Sequence, residues 1–497
     1  YKGSLSGEHG DGRLRSEFLP LLFGNEVYEF FRQIKYTFDP NNIFNAGKIV
    51  DSPAMDTFLR YNSEFETPKI KTFFDFSNVG GYMRAIEKCN GSADCRKSEY
   101  AGGTMCPSFQ ATGDEWNSTR GRANILREFL SNSSKDNIFD SKEIFEILDT
   151  CLSCKACKSE CPSNVDMTKL KAEFLQHYYK SNSISLRTRL IANFPKLNTI
   201  MSVFPKFSNF LINSFFGKFF ANIIGFSKKR RIPNVQKTLT KKWKKHNKIS
   251  SAKNGIVYFF NDEFTNFNDS DIGLKAIILL EKLGYQVIIP KHLESGRTYL
   301  SKGMVQKAKN LIIKNILLLK DLVSDHSCLV GIEPSAILTF RDESLDLANS
   351  HLKSEAEKIA KNSFVIDEFI VREAEAGRIS QNQFTDKPNE IKIHGHCYQK
   401  ALASTETVKK MLRIPKNYTV EEIPSGCCGM AGSFGYEKEH YELSMKIGEL
   451  VLFPEIRKTP EIVEIAASGT SCRHQIEHGT NRKAKHPIEI LYEALMP

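Results

Sequence analysis

Residues 151–162 read Cys151-Leu152-Ser153-Cys154-Lys155-Ala156-Cys157-Lys158-Ser159-Glu160-Cys161-Pro162. Three thiols separated by two residues each can bind one face of an iron–sulfur cluster, while the fourth, after three intervening residues, is directed to a second cluster. A zinc site or simple packing of the cysteines is the alternative, but four cysteines at this spacing favour iron. The stretch therefore predicts a domain of helices around two [4Fe–4S] clusters.

A second set of cysteines precedes this stretch. Cys89 and Cys95 flank Ser92, where a further thiol would be needed, and Cys106 follows after a longer insertion. Crossed ligation predicts one cluster on Cys151, Cys154, Cys157 and Cys106, and a second on Cys89, Cys95 and Cys161. Because the second cluster is one thiol short, three alternatives stay open: a three-iron cluster, a four-iron cluster with Ser92 or Asp94 as an oxygen ligand, or a cluster with a labile iron. Formation of only one cluster is the remaining alternative.

Length and composition exclude several classes of protein. The 497 residues are 41% hydrophobic and 26% charged, which is typical of globular proteins and allows about three domains. Twelve cysteines, seven of them between Cys89 and Cys161, favour bound metal in a reducing compartment over disulfides. No apolar run reaches the roughly 18 residues of a transmembrane helix, and no signal peptide is recognisable. We expect a cytoplasmic protein, and a piece of a longer one, because the sequence begins inside a motif without Met.

The net charge of +11 is concentrated in one segment. Phe174–Asn261 contains 17 Lys and Arg and no Asp or Glu, so the rest of the chain carries −6. Ten of these cations lie in Lys228–Lys248, directly after Phe194–Phe226, which holds nine of the 35 Phe. Basic residues beside an apolar aromatic stretch favour an anionic membrane surface, with about 1 kcal/mol per charge. A helical linker packed on the cluster domain is the alternative, and no recognisable module supports nucleic-acid binding.

Residues 251–497 alternate short apolar strands with helices, which predicts an α/β fold. The predicted strands are Ile256–Phe260, Val287–Pro290, Cys328–Ile332, Ile391–His394 and Ile462–Ala467. Similar intervals between motifs predict a duplication in which only the second copy carries cysteines, at Cys397, Cys427, Cys428 and Cys472. Four thiolates suit one tetrahedral zinc ion or one iron–sulfur cluster.

These cysteines stand in the pattern Gly-His-Cys397, Cys427-Cys428-Gly and Cys472. The pattern resembles the cysteine-rich domain of heterodisulfide reductases and of the glycolate oxidase iron–sulfur subunit. That family's motif usually ends in Cys-x2-Cys, whereas here Cys472 is followed by Arg473-His474-Gln475, one thiol short. The resemblance implies an iron–sulfur cluster or zinc and leaves the choice between them open.

The N-terminal motifs carry a second resemblance. Residues 4–13 read Ser-Leu-Ser-Gly-Glu-His-Gly-Asp-Gly-Arg, and residues 38–49 contain Asp-Pro-Asn-Asn-Ile-Phe-Asn-Ala-Gly-Lys. Both resemble the C-terminal end of FAD-linked oxidases of the D-lactate and D-2-hydroxyglutarate dehydrogenase type. The resemblance implies that His9 takes the hydroxyl proton of the substrate, that Glu8 binds a divalent metal, and that Asn45 and Lys48 lie near the flavin. It also implies that the FAD-binding domain lies upstream of this chain.

The order of these parts resembles that of the single-chain FAD and iron–sulfur D-2-hydroxyacid dehydrogenases, over nearly the whole chain. We expect a mixed multidomain fold. From the N-terminus, its parts are an α+β end of an FAD-linked oxidase domain (1–60), an all-α ferredoxin domain (75–182), a basic Phe-rich helical linker (183–250) and a duplicated α/β cysteine-rich domain (251–497).

The resemblance implies oxidation of a D-2-hydroxy acid to the 2-keto acid, with electrons passing from FAD through the clusters to a membrane quinone or cytochrome. The enzyme would then lie in the cytoplasm, peripherally on the inner face of the membrane. The alternatives are a separate iron–sulfur subunit that docks onto a flavoprotein, and a zinc-binding scaffold with a basic nucleic-acid arm.

Overall fold

The computed structural model describes residues 3–5, 7–61, 64–246 and 252–496. Its backbone divides into two units, Tyr1–Thr67 and Pro68–Pro497. Ser6 of the N-terminal motif and residues 247–250 of the basic segment lie outside the described residues.

The described part of the first unit contains two α-helices, α1 (Leu19–Phe23) and α2 (Asn25–Phe38), joined by Gly24 at a φ of 80°. The buried carboxylate of Asp39 ends α2 and accepts hydrogen bonds from the backbone N–H groups of Ile43 (2.8 Å) and Phe44 (2.9 Å). The described part of this unit has no strand, so the expected α+β character is not seen there. A strand needs a partner to form a stable sheet, and these residues offer none.

The second unit begins with the cysteine-rich helical part that the sequence predicts. Its helices are α3 (Tyr82–Glu87), α4 (Pro107–Thr112), α5 (Thr119–Asn132), α6 (Lys142–Asp149), α7 (Ala156–Glu160) and α8 (Met167–Tyr178). Ser118, Ser141 and Asp166 cap the N-termini of α5, α6 and α8, where their side chains accept backbone N–H bonds.

The acid-free segment is also helical in its described part. Its helices are α9 (Leu186–Ala192), α10 (Phe194–Met201), α11 (Pro205–Asn213), α12 (Phe215–Ile224) and α13 (Leu239–Lys245). α9 packs against α16 (Arg297–Ser301), and α10 packs against α14 (Glu263–Phe267). This segment therefore lies against the first α/β copy, and not only beside the cluster domain.

The remainder forms two parallel sheets. The strands are β1 (Ile256–Phe259), β2 (Gln286–Ile288), β3 (Leu329–Gly331), β4 (Ser363–Val365), β5 (Asn389–His394), β6 (Tyr418–Glu422) and β7 (Glu464–Ala467). The strand orders are β2-β1-β3-β4 and β6-β5-β7, so β1 and β5 hold equivalent central positions. All five predicted strands form, and β4 and β6 are additional.

Helices connect and cover these strands, as parallel pairing requires. They are α14, α15 (Ser270–Lys282), α16, α17 (Val305–Leu319), α18 (Pro334–Ile337), α19 (Glu343–Leu347), α20 (Lys353–Lys361), α21 (Ile366–Glu375), α22 (Cys397–Leu402), α23 (Glu406–Leu412), α24 (Tyr441–Leu450), α25 (Leu452–Lys458), α26 (Thr470–Thr480) and α27 (Pro487–Glu493). One apolar core contains both Leu170 and Phe174 of α8 and Val305 and Ile312 of α17, which joins the cluster domain to the first sheet.

Candidate metal centres

The cysteines of residues 151–161 lie on a loop and a short helix. Cys154 and Cys157 are buried, whereas Cys151 and Cys161 are partly exposed. Ser153 and Lys155 adopt positive φ angles of 54° and 64°, which curl the backbone between the thiols. Burial raises the pKa of both Cys154 and Cys157 well above that of an ordinary thiol. A metal bound at these positions would stabilise the charge of their thiolates.

Cys106 lies beside this loop although it is some fifty residues away in sequence. It caps α4, and Glu160 holds the preceding loop by accepting from the backbone N–H groups of Thr104 (2.8 Å) and Met105 (2.9 Å). The charge of Cys106 contributes to the raised pKa of both Cys154 and Cys157. Cys106 therefore lies near Cys154 and Cys157, and the set of four ligands stays a prediction.

Cys95 lies near both Cys106 and Cys89. The backbone N–H of Arg120 donates to Cys95 Sγ at 3.3 Å, and burial raises the pKa of Cys95, with smaller contributions from Cys106 and Cys89. Lys88 Nζ donates to the carbonyl of Asn164 at 3.1 Å, which brings the Cys89 turn to the turn that follows Cys161.

The two proposed oxygen ligands contact each other. Asp94 pairs with Lys97 at 3.1 Å, and the hydrogen bonds from Lys97 and Ser92 lower its pKa. Both Ser92 and Asp94 are therefore engaged near the surface, and which of them completes the second cluster stays a prediction.

The surroundings of Arg122 show whether the region of the first cluster thiols suits an anionic cluster. The residue is 1% exposed, and its guanidinium donates to Cys106 Sγ (3.5 Å), Ser108 Oγ (3.0 Å) and Thr150 Oγ1 (2.8 Å). Among the described residues, no carboxylate lies within ion-pairing distance of it. An uncompensated buried charge costs several kcal/mol, whereas an iron–sulfur cluster with thiolate ligands would supply the missing negative charge. The residues present therefore fit the cluster.

The C-terminal cysteines meet at the carboxyl ends of the second sheet. Cys397 begins α22 three residues after β5 ends, Cys427 and Cys428 follow β6, and Cys472 lies in the first turn of α26 after β7. The carboxyl ends of parallel strands lie at one edge of the sheet. The central strand β5 has β6 on one side and β7 on the other, so the strand order reverses at this edge. Side chains from three separate loops consequently converge at this edge.

These four thiols interact with one another. Cys427 contacts Cys397 and Cys428, and Cys428 contacts Cys472. Hydrogen bonds from Cys427 and Cys472 hold the pKa of Cys428 well below its ordinary value, although burial acts in the opposite direction. A set of thiols, three of them buried, with one favoured thiolate is suited to binding a transition metal.

The first cluster loop lies next to this C-terminal site. The charge of Cys397 is the second cause, after burial, of the raised pKa of Cys154, and α22 packs on α7. A Cβ atom at Gly426 would lie only 3.1 Å from the carbonyl oxygen of Gly103, in the loop before Cys106. The two candidate metal centres are therefore neighbours in one unit.

The first sheet carries a salt network at the equivalent edge. Glu263 accepts from the backbone N–H of Ser295 at 2.9 Å and from its hydroxyl at 2.6 Å. Arg297 pairs with Glu343 at 2.7 Å and donates to the hydroxyl of Tyr398 at 2.9 Å. Carboxylates and a guanidinium thus occupy the edge where the second copy has thiols.

In the first unit, His9 and Glu8 form an exposed pair with 3.3 Å between His9 Nε2 and Glu8 Oε1. Asn45 and Lys48 lie at exposed positions on the turns after α2. Both pairs are exposed, and their roles stay predictions.

Two helices of the acid-free segment, α11 and α12, and the residue before them expose a broad apolar surface, which we call the Phe surface. It consists of Phe204, Phe207, Phe210, Leu211, Phe215, Phe216, Phe219, Phe220 and Ile223, each 48–80% exposed. No helix in the described residues has the length and apolar character needed to cross a bilayer.

The structure adds two functional candidates that the sequence did not single out: Arg122 and His394. A ring nitrogen of His394, Cys428 Sγ and Cys472 Sγ lie within 4.8 Å of one another. The place of His394 directly before Gly-His-Cys397 was the available signal, but histidine near cysteine is too common to decide ligation by itself.

Known proteins resemble the chain both in part and along its whole length. Residues 1–49 match the family of FAD linked oxidases, C-terminal domain, and residues 85–165 match the 4Fe-4S dicluster domain. The D-2-hydroxyglutarate dehydrogenase of Escherichia coli (strain K12) is 27% identical over 547 residues, which cover 100% of this chain and 52% of that protein. The chain therefore spans about half the length of such curated relatives.

Two further relatives cover parts of the chain. A component of the anaerobic glycerol-3-phosphate dehydrogenase of Escherichia coli (strain K12) is 28% identical over 48% of this chain and 59% of that protein. The D-lactate dehydrogenase of Archaeoglobus fulgidus is 52% identical over 48 residues, 10% of this chain and 11% of that protein. No solved structure matches. The chain combines an FAD-linked oxidase C-terminal part with a 4Fe-4S dicluster domain, and its homologues over the full length are D-2-hydroxyglutarate dehydrogenases.

Proposed function

We propose that this chain is the electron-carrying part of an FAD and iron–sulfur dehydrogenase that oxidises a D-2-hydroxy acid, D-2-hydroxyglutarate or D-lactate, to the 2-keto acid. The observation that carries the proposal is the similarity to D-2-hydroxyglutarate dehydrogenases along 100% of the chain. FAD, when bound, supplies hydride acceptance, and the clusters supply one-electron transfer. We also propose that the chain is divided into four domains, at 1–60, 75–182, 183–250 and 251–497.

His9 is proposed as the base that removes the hydroxyl proton of the substrate. Its neighbour Glu8 would bind a divalent metal that holds the hydroxy acid. Asn45 and Lys48 would contact the flavin. The exposure of these side chains in the first unit supports roles that involve a substrate, a cofactor or polypeptide beyond this chain.

The cysteines are proposed to hold the clusters as the sequence predicts. The first cluster would be held by Cys106, Cys151, Cys154 and Cys157. The second cluster would be held by Cys89, Cys95 and Cys161, with Ser92 or Asp94 as a further ligand. A third cluster or a zinc ion would be held by Cys397, Cys427, Cys428 and Cys472. The closeness of Cys154 to Cys397 supports an electron path that continues from the first cluster into the C-terminal domain.

The electron acceptor is proposed to be a quinone or cytochrome of the membrane. The Phe surface and the neighbouring lysines support peripheral binding of the cytoplasmic protein to an anionic bilayer. Nucleic acid is not a proposed partner.

A separate electron-transfer subunit is the second candidate. The similarity of nearly half of the chain to one component of a glycerol-3-phosphate dehydrogenase favours it. The match of residues 1–49 to FAD-linked oxidases favours the single-chain enzyme.

Anaerobic reduction of the full-length protein tests the proposal. We expect D-2-hydroxyglutarate or D-lactate, but not their L-isomers, to bleach the flavin and the clusters in sequence. His9→Gln should slow this reduction by about 10²–10⁴-fold, because it removes the base. His351→Gln, at an exposed histidine of the second unit, is the matched control.

Iron and acid-labile sulfide analysis with EPR of the reduced protein measures the clusters directly. Fewer than about seven irons per chain would contradict the two-cluster assignment, because a three-iron and a four-iron cluster together hold seven. Unchanged reduction of the His9→Gln protein would remove His9 from the mechanism.

A further inference from the structure

His394 is the last residue of the central strand β5, and its side chain points into the C-terminal centre. The residue is 2% exposed. Its Nδ1 lies 2.8 Å from Ser425 Oγ, while its Nε2 is buried and has no hydrogen-bond partner among the described residues. A buried polar atom without a partner costs about 1–3 kcal/mol, so this nitrogen calls for an explanation.

Ser425 favours one tautomer of the imidazole. The Ser425 hydroxyl can donate to the carbonyl of Ile423, 3.5 Å away, and then accepts from the Nδ1–H group of His394. The proton on Nδ1 leaves a lone pair on Nε2. Histidine ligands of metals are held in the same way, by a hydrogen-bond partner on the nitrogen that does not bind the metal.

The free nitrogen faces two thiols. One ring nitrogen of His394, Cys428 Sγ and Cys472 Sγ all lie within 4.8 Å of one another, and Ser425 already occupies Nδ1. The imidazole therefore stands where it can add a nitrogen donor to the thiols of Cys428 and Cys472.

We propose that His394 Nε2 is a metal ligand of the C-terminal centre, which binds a thiophilic transition metal through imidazole and thiolates together. The proposal deepens the proposed function, since it rests on a metal at Cys428 and Cys472. In a zinc ion one further thiol, that of Cys397 or Cys427, would make the set of the Cys₃His kind. In an iron–sulfur cluster a neutral imidazole in place of a thiolate raises the reduction potential, which suits a site that takes electrons from the first cluster.

Metal analysis and pulsed EPR of the full-length protein test the assignment. The variants are His394→Ala, His394→Cys and the double variant Cys427→Ser/Cys428→Ser, which defines the metal held by this centre. His474→Ala is the matched control, because His474 lies on α26 two residues after Cys472 and bonds to the hydroxyl of Tyr436 at 2.9 Å.

If the centre is a cluster, we expect a ¹⁴N coupling in the reduced wild type that disappears in both His394 variants. If it is zinc, X-ray absorption should show one nitrogen neighbour in the wild type and none in His394→Cys. His394→Cys keeps a donor and should retain the metal, so the result does not depend on the folding of His394→Ala. The control should match the wild type in each measurement.

A nitrogen signal that persists in His394→Cys would overturn the proposal, and so would a double cysteine variant with the full wild-type metal content. Failure of D-2-hydroxy acids to reduce the protein would instead count against the proposed function, and would leave the ligand assignment intact.

Discussion

At the scale of single residues, Arg122 has the clearest electrostatic consequence. It donates to Cys106 Sγ from a position with no carboxylate partner in the described chain. A buried cation beside a cluster ligand stabilises the more negative, reduced state of the cluster. Arg122 would then set the potential of the first cluster.

We predict that Arg122→Met lowers the potential of the first cluster by roughly 60–130 mV. This range follows from a charge-assisted hydrogen bond of about 1.5–3 kcal/mol, at 59 mV per 1.4 kcal/mol for one electron. Redox titration followed by EPR measures it. Arg127→Met, on the same helix, where Arg127 bonds to Asn124, is the control. A potential that moves equally in both variants would show that Arg122 has no special role.

At the scale of elements, α11 and α12 carry the Phe surface without a covering partner in the described chain. Lys206, Lys218 and Lys228 lie on or beside these helices. Apolar rings that enter a bilayer interface, with lysines near anionic headgroups, give both hydrophobic and electrostatic binding energy.

We predict that Phe216→Ser/Phe220→Ser lowers binding to anionic phospholipid vesicles at least tenfold. Each ring contributes about 1.5–3 kcal/mol when fully buried, so even partial insertion of two rings exceeds the 1.4 kcal/mol of a tenfold change. Co-sedimentation measures the bound fraction, and Phe129→Ser, at a half-exposed ring of α5, is the control. Binding that survives in the double variant, or that is equal on neutral vesicles, would contradict a membrane role.

The elements that the sequence predicts are those with strong local patterns. Five apolar strands and the helices of the cluster domain form as expected. Val420 is the single buried residue of β6, so this strand has no clear pattern of its own, and β4 begins with Ser363 and is followed directly by α21. Tertiary pairing with β3 and β5 creates them.

The candidate site residues also divide into those with a local sequence pattern and those without one. Cysteine spacing indicates the ligands because a cluster imposes that spacing on the chain itself. Arg122 and His394 depend instead on what surrounds them in three dimensions: a missing counter-charge in one case and an unpartnered nitrogen in the other. No local sequence pattern records either property.

At the scale of the whole second unit, a buried ion network joins the cluster loop to the first α/β copy. Lys155, between two cluster thiols, is fully buried and pairs with Asp342 and with Glu343, the latter at 3.0 Å. Lys169 contacts Asp342 at 2.5 Å, and Lys158 contacts it as well. Burial alone would raise the pKa of Asp342, but these three lysines hold it well below the ordinary range.

We predict that Asp342→Asn lowers the thermal unfolding midpoint by roughly 5–15 °C, since removing one partner of a buried ion network costs about 3–5 kcal/mol. A carboxylate with a lowered folded pKa stabilises the protein above its unfolded pKa of about 3.9, and loses this effect only as the pH falls towards the folded pKa. The difference between wild type and variant should therefore stay constant from about pH 6 to pH 9, measured by calorimetry of the holoprotein. Asp321→Asn, outside the network, serves as the control. A difference that changes within this pH range would place the responsible titration on another group and remove Asp342 as the link between cluster loop and sheet.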